Sequence, residues 1–321
     1  MSEERVFLRS VTSAQYGLGA QRRRRLEAPR VVRAKALLDH RDTGYTIGPE
    51  ETVHWVFGPG DEPFLTQSLQ VHFVELGPGG ANTVHGHQNE AAFYVLDGRG
   101  HEIHDGTRYD WSSDDLVVVH DDSVHQHFND DADRPATMLV FKSKAAWMYL
   151  GLFQQGRPGP APAGTPADWS ALWTPGAVSR KKVVKPADAP WARTRDGEVR
   201  VLASAARDDV RLFSVDLLQQ RIGAGGRSAT HWHMADEIAY VMAGSGRSVQ
   251  YDVEAEIAGR YTARIATEPS VWPFAAGDFV YVPQNTAHRY EADEPVTLLV
   301  AQSRLFTHVG YGGMAYLEEA S

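Results

Sequence analysis

From His54 onward the apolar residues fall in short runs rather than in long helical periods. Leu69-Gln70-Val71-His72-Phe73-Val74, Ala92-Phe93-Tyr94-Val95-Leu96 and Leu116-Val117-Val118-Val119 are each bounded by Gly, Pro, Asn or Asp. Strands of this length between turn signals predict an all-β sandwich or barrel. The segment from Ser13 to Leu38 differs: it mixes helix formers with a basic stripe and predicts a helical arm. Between Gly156 and Gly176 the Pro and Gly content marks a linker, with Trp169 and Trp173 expected to pin it to a barrel surface. These changes divide the chain into an arm (1–45), a first β unit (46–150), a linker (151–180) and a second β unit (181–321).

The two β units repeat one plan. Arg30-Val31-Val32-Arg33 is echoed by Lys182-Val183-Val184-Lys185, and Gly79-Gly80 through His85-Gly86-His87 by Gly225-Gly226 through His231-Trp232-His233. Tyr94-Val95-Leu96-Asp97-Gly98-Arg99-Gly100 returns as Tyr240-Val241-Met242-Ala243-Gly244-Ser245-Gly246, and His125 is matched by His288. Matched blocks in the same order indicate duplication. A length of 321 residues also exceeds the size at which one core usually stops growing.

Composition narrows the chemistry. With 42% hydrophobic and 23% charged residues the chain reads as an ordinary soluble protein. The net charge of −9 argues against a general nucleic-acid binder, and Arg22-Arg23-Arg24-Arg25 reads as a solvated helix face or a subunit contact. No apolar run approaches the roughly 20 residues that span a bilayer, and the N-terminus is polar, so a cytoplasmic location is expected. The absence of cysteine excludes disulfides and thiolate ligands, leaving His and carboxylates to hold any metal.

Residues two apart on a strand point the same way, so His85 and His87 share a face, as do His231 and His233. His125 follows the run Leu116–Val119 and His288 follows Asp278–Pro283, which suits a third ligand on a neighbouring antiparallel strand. Glu237, four residues after His233, returns to the inward face. Each half thus offers ligands for one divalent cation, with positions left open for a substrate or O₂. His40, His54, His101, His104 and His308 have no such arrangement and read as ordinary polar residues.

These blocks resemble the two short motifs of the cupin superfamily: Gly225, His231, His233, Glu237 and Gly244 for the first, Gly277, Pro283 and His288 for the second. The resemblance implies an all-β fold of two tandem cupin barrels (double-stranded β-helix, or jelly roll) behind the helical arm. The first half departs from the motif: Ala91 stands where the glutamate belongs, and Glu90 is one residue out of phase. A one-residue offset turns a side chain to the opposite face, so Glu90 is expected outside the metal's ligands or as an outer acceptor. The remaining three-His set with Ala91 and His125-Gln126-His127-Phe128-Asn129 is similar to the gentisate/salicylate 1,2-dioxygenase group. That likeness implies Fe(II) in the first barrel, a divalent metal (Fe, Mn, Ni or Zn) in the second, and a homo-oligomer, dimer or tetramer.

That group carries an arginine six residues after the second histidine, suited to a substrate carboxylate; here the position is Phe93. Either Arg99 or Arg108 on the next hairpin holds the carboxylate, or the substrate is an aromatic without one, with Phe93 as an apolar wall or a core residue. The second alternative is the preferred expectation. The leading function is therefore Fe(II)-dependent cleavage of a hydroxylated aromatic ring by O₂, with His127 or His72 as acid/base partner. A manganese-dependent decarboxylase or oxidase of a small acid, using Glu237, and a non-catalytic metal-binding cupin are the alternatives.

Overall fold

The structure, a computed structural model, describes residues 7–8, 11–12, 18–33, 45–48, 51–58, 66–121, 123–152, 155–160, 162–165, 180–257 and 259–321. The linker tryptophans Trp169 and Trp173 lie outside the described residues, as does the arm from 34 to 44. The predicted helix is present over Leu18–Glu27.

Two antiparallel barrels follow, each made of a large and a smaller sheet. In the first, the large sheet runs in the order Val183–Val184, Leu116–Val119, Ala91–Asp97, Ala136–Lys142, Gln70–Leu76, Glu51–Phe57, Tyr45–Gly48. The smaller sheet runs Thr107–Ser112, Arg99–His104, Val124–Asn129, His85–His87, Gln155–Gly156. The second barrel repeats this, with a large sheet from Ala192–Thr194 to Val31–Arg33 and a smaller one in which Thr286–Ala292, Thr230–His233 and Met314–Glu318 lie side by side.

The outermost strands are exchanged. Val31–Arg33, from the arm, pairs with Asp278–Val282 of the second barrel, and Val183–Val184, after the linker, pairs with Leu116–Val119 of the first. The echo between Arg30-Val31-Val32 and Lys182-Val183-Val184 is thus a pair of equivalent edge strands, each covering the other barrel's sheet. Arg30 fastens the arm by donating from Nη1 to Gln250 Oε1 at 2.6 Å, and from Nη2 to Leu26 O at 3.0 Å.

The unbroken apolar runs have the same origin. Ala91, Phe93 and Val95 point into the first barrel with Val117 and Val119, whereas Ala92, Tyr94, Leu116 and Val118 point out of it. Those outward residues meet Leu217, Ile238, Phe279, Tyr281, Leu299 and Ala301 of the second barrel in one buried cluster. Ala239, Val241, Val280 and Val282 fill the second barrel's own interior. The large sheets are buried on both faces, so their strands show no alternation of polar and apolar residues. The turn glycines of the repeat are also explained: Gly98 (φ +108°) and Gly244 (φ +84°) take left-handed turns that an L side chain would strain.

Two carboxylates clamp the barrels together. Glu90 is fully buried and points away from the histidines, accepting Phe213 N at 3.0 Å, Ser214 N at 2.9 Å and Ser214 Oγ at 2.9 Å. Its counterpart Asp236 accepts Gln67 N at 2.9 Å, Ser68 N at 3.0 Å and Ser68 Oγ at 2.8 Å. The offset of Glu90 puts it on the face its phase predicts, in the barrel–barrel contact. Replacing Glu90 with Ala leaves buried donors without an acceptor and is expected to lower unfolding stability by about 3 kcal/mol in a denaturant titration. A loss below about 0.5 kcal/mol, the size of an ordinary surface change, would refute the clamp.

Candidate metal centres

In the first barrel, strand His85–His87 pairs with Val124–Asn129 so that His85 stands opposite His125. Pairing and the two-residue repeat bring three imidazoles together, with ring centroids 4.4 Å (His85–His125), 4.8 Å (His87–His125) and 5.4 Å (His85–His87) apart. Each Nδ1 meets a backbone carbonyl: Thr83 O at 2.7 Å, Asn89 O at 2.6 Å and Ser123 O at 3.1 Å. A carbonyl only accepts, so Nδ1 carries the proton and Nε2 keeps its lone pair. Nε2 of His87 and of His125 is buried with no hydrogen-bond partner. Burial holds all three rings neutral, with His85 lowered, His87 down to about 2 and His125 well below the histidine range. Neutral rings with fixed tautomers and ligand atoms within 4.8 Å of one another fit a divalent cation.

The second barrel repeats the set and adds a carboxylate. His231 stands opposite His288, and Glu237 reaches His233 Nε2 at 3.4 Å and His288 Nε2 at 3.3 Å. His233 Nδ1 donates to Ala235 O at 2.9 Å and His288 Nδ1 to Thr286 O at 3.3 Å. His231 Nδ1 lies 3.1 Å from Asp196 Oδ1, which Tyr316 steadies by donating to Oδ2 at 2.8 Å. Tyr290 donates its hydroxyl to Glu237 Oε1 at 2.7 Å. Burial pushes the Glu237 carboxyl up, but His288 and His233 outweigh it and hold it well below the usual carboxylate range. This set, too, has its ligand atoms within 4.8 Å.

The sites differ in access. Strand Met314–Glu318 runs along all of Thr230–His233, and the four ligands of the second site are buried. Among the described residues the equivalent cover in the first barrel is Gln155–Gly156, which reaches His87 and Gly86. His85 is half-buried and faces, with His87, a cavity of about 290 Å³. Phe93 lies on its wall, its ring centroid 4.5 Å from that of His127, and His72 lines it as well.

His127 is held from behind. Its Nδ1 donates to Glu102 Oε1 at 2.8 Å, and Glu102 Oε2 lies 3.2 Å from His104 Nε2. All three are buried. Burial pushes Glu102 up, but His127 and His104 outweigh it and keep it ionised. The register places His127 opposite Glu102 and His125 opposite His104. The motif pattern gives no sign of either partner, and His104 is a buried polar residue outside both histidine sets. The i, i+2 spacing of Glu102 and His104 was the available signal, but it has meaning only once the hairpin register is known.

Arg99 and Arg108, the candidate carboxylate holders, meet aspartates instead of the cavity. Arg99 lies 3.9 Å from Asp131, while Arg108 pairs with Asp110 at 2.8 Å and Asp130 at 3.0 Å. Alternation on this hairpin turns Gly100, Glu102 and His104 inward and Arg99 outward, and neither arginine lines the cavity. The cationic groups that do are Lys142, Lys144 and Arg157, which the motif reading missed because none lies in a motif. Of the remaining histidines, His101 Nδ1 donates to Asp130 Oδ1 at 2.8 Å outside the cavity, and His308 Nε2 donates to Phe213 O at 3.1 Å. His40 and the side chain of His54 lie outside the described residues.

With the geometry established, comparison defines the class. A cupin domain model matches the chain twice, over residues 72–142 and 218–302. The chain therefore carries two cupin domains, one in each barrel, which is a bicupin arrangement. Among solved structures, a salicylate 1,2-dioxygenase from Pseudaminobacter salicylatoxidans is similar with a TM-score of 0.67 at 16% identity, covering 90% of this chain and 88% of that one. A variant of such a dioxygenase in complex with gentisate gives 0.69 at 15% identity, covering 90% and 86%. An oxalate decarboxylase gives 0.60 at 16% identity, covering 90% and 80%. At these identities the likeness speaks for the fold. No curated protein sequence matches the chain. Among the described residues no helix is long and apolar enough to cross a membrane.

Two histidine sets on separate barrels should hold two metal ions per chain. Metal analysis is expected to give two equivalents in the wild type and one each in His125→Ala and His288→Ala, with melting temperature falling on chelation. Two equivalents in either variant would exclude that histidine as a ligand.

Proposed function

We propose that this bicupin is a non-haem Fe(II)-dependent dioxygenase that cleaves a hydroxylated aromatic ring of the gentisate, salicylate or hydroquinone kind, working in the first barrel. One observation carries the reading: the set His85, His87 and His125 lacks a carboxylate, and His85 and His87 line a cavity with an aromatic wall, Phe93, and a separately held imidazole, His127. His85, His87 and His125 would hold the ion through Nε2. When bound, Fe(II) supplies Lewis acidity toward a phenol and open positions for the substrate and O₂.

The chain's own residues do the rest. Phe93, with Val53 and Val74, gives the ring an apolar surface and excludes water. His127 has Nδ1 committed to Glu102, so Nε2 is the atom that takes the phenolic proton and returns it later. Glu102 keeps the ring oriented for that exchange. His72, held neutral by burial on the same cavity, is the other candidate base. His231, His233, Glu237 and His288 would hold a second divalent ion, Fe, Mn, Ni or Zn, as a structural centre under the strand Met314–Glu318. The assembly we propose is a homo-oligomer, dimer or tetramer.

The complete His₃Glu set favours one other reading, a manganese-dependent decarboxylase or oxidase of a small acid in the second barrel. An oxygen electrode separates the two. Anaerobically iron-loaded protein should consume oxygen with gentisate, salicylate or hydroquinone; His125→Ala should abolish this and His288→Ala should keep most of it. His127→Asn should lower kcat by about a hundredfold or more at unchanged iron content. No uptake with any phenol, together with carbon dioxide release from oxalate by manganese-loaded protein, would replace the first reading with the second.

A further inference from the structure

The first-barrel cavity contains an ionic group that the roles above leave unused. Lys142 ends strand Ala136–Lys142, beside Gln70 and two residues from Val140, which stands opposite both His72 and Phe93. Its ammonium lines the cavity 5.7 Å from the Phe93 ring centroid and has no hydrogen bond or ion pair among the described residues. Burial, with Lys144 adding to it, brings its pKa down to about 8, which leaves the cation in place at neutral pH.

The surroundings do not neutralise it. Lys144, whose Nζ donates to Gln155 Oε1 at 3.4 Å, and Arg157 line the same cavity, against the single carboxylate of Glu51. Burial raises the pKa of Glu51, which weakens it as a counter-ion. A half-buried ammonium that meets an aromatic face but no hydrogen-bond acceptor has bonding capacity left for a ligand, and three cations facing one carboxylate give the cavity a positive field.

We propose that Lys142 anchors an anionic group of the substrate, so that this cavity takes a hydroxylated aromatic bearing a carboxylate in preference to a neutral phenol. This rests on the ring-cleavage reading for the identity of the cavity as the substrate site. It reverses the expectation drawn from Phe93: the guanidinium is missing from that strand, and a cation enters from the neighbouring one, over the face of the phenyl ring. An ammonium is a point charge rather than a planar fork, so the site should also accept a sulfonate in the carboxylate's place.

Calorimetric titration of anaerobic, iron-loaded protein with gentisate, gentisate's sulfonate analogue, hydroquinone and benzoate tests the anchor apart from turnover. The wild type should bind gentisate and the sulfonate more tightly than hydroquinone by about ten- to a hundredfold, the range of one hydrogen bond to a charged group. Lys142→Met should erase that preference while leaving hydroquinone affinity unchanged, and Lys142→Arg should restore it. Equal binding of gentisate and hydroquinone by the wild type, or a preference that survives Lys142→Met, overturns the anchor even if oxygen is consumed. Lys142-dependent binding of benzoate and gentisate, with no oxygen uptake from any phenol, upholds the anchor and overturns ring cleavage.

Discussion

Burial of both faces of the two large sheets is the constraint on which the rest of this molecule depends. Leu116, Val118, Ala92 and Tyr94 from one barrel, and Ile238, Phe279, Tyr281 and Leu299 from the other, form a shared core that neither barrel has alone. A side chain of this class contributes about 1.5–3 kcal/mol when fully removed from water, so the contact is comparable to an interior in what it adds. Polar groups there must be satisfied from across the contact: Gln219 Nε2 donates to the Tyr94 hydroxyl at 2.9 Å, and the hydroxyl donates to Asp114 Oδ1 at 2.9 Å. The barrels are thereby fixed as one body, and each smaller sheet, with its histidines, is left on the side away from the contact.

The strand phase that builds this contact also divides the carboxylates. After the His-x-His pair, the third following position points to the other barrel and the fourth points into the metal site. The second barrel fills both, with Asp236 as clamp and Glu237 as ligand. The first fills only the clamp position, with Glu90, and Ala91 stands where a ligand would be. Loss of the inward carboxylate therefore changes the charge and the open positions of the first site at no expense to the fold.

Much of this was legible in the sequence because it rests on local periodicity. The duplication, the inward pairs His85/His87 and His231/His233, the third histidines and the outward turn of Glu90 all follow from two-residue alternation. What escaped depends on which strand lies beside which. Glu102 and His104 sit behind His127 only because Arg99–His104 pairs with Val124–Asn129 in one particular register. Asp196 and Tyr316 reach His231 from positions distant in the chain. The arginines were misplaced for a related reason: a hairpin's sequence position was known, but its inward face was not. Phe93 is visible in the sequence as a departure from the motif, but the Lys142 ammonium over its ring depends on strand pairing that sequence does not reveal.

The two candidate metal centres share their three-histidine geometry, and they differ in the carboxylate and in what covers them. In the second barrel the tail strand Met314–Glu318 closes the edge, and Tyr316 beneath it holds Asp196 against His231. Tyr290 donates to Glu237, while Nε2 of His233 and of His288 is buried beside that carboxylate with no hydrogen-bond partner of its own. In the first, the cover among the described residues is Gln155–Gly156, and the groups around the opening are of mixed kind: an apolar ring, an imidazole held by a carboxylate, and cations in excess. A centre covered along its whole histidine strand suits an ion that stabilises the fold. An open centre faced by groups whose hydrogen-bonding and charge are incomplete suits an ion that works on something brought to it.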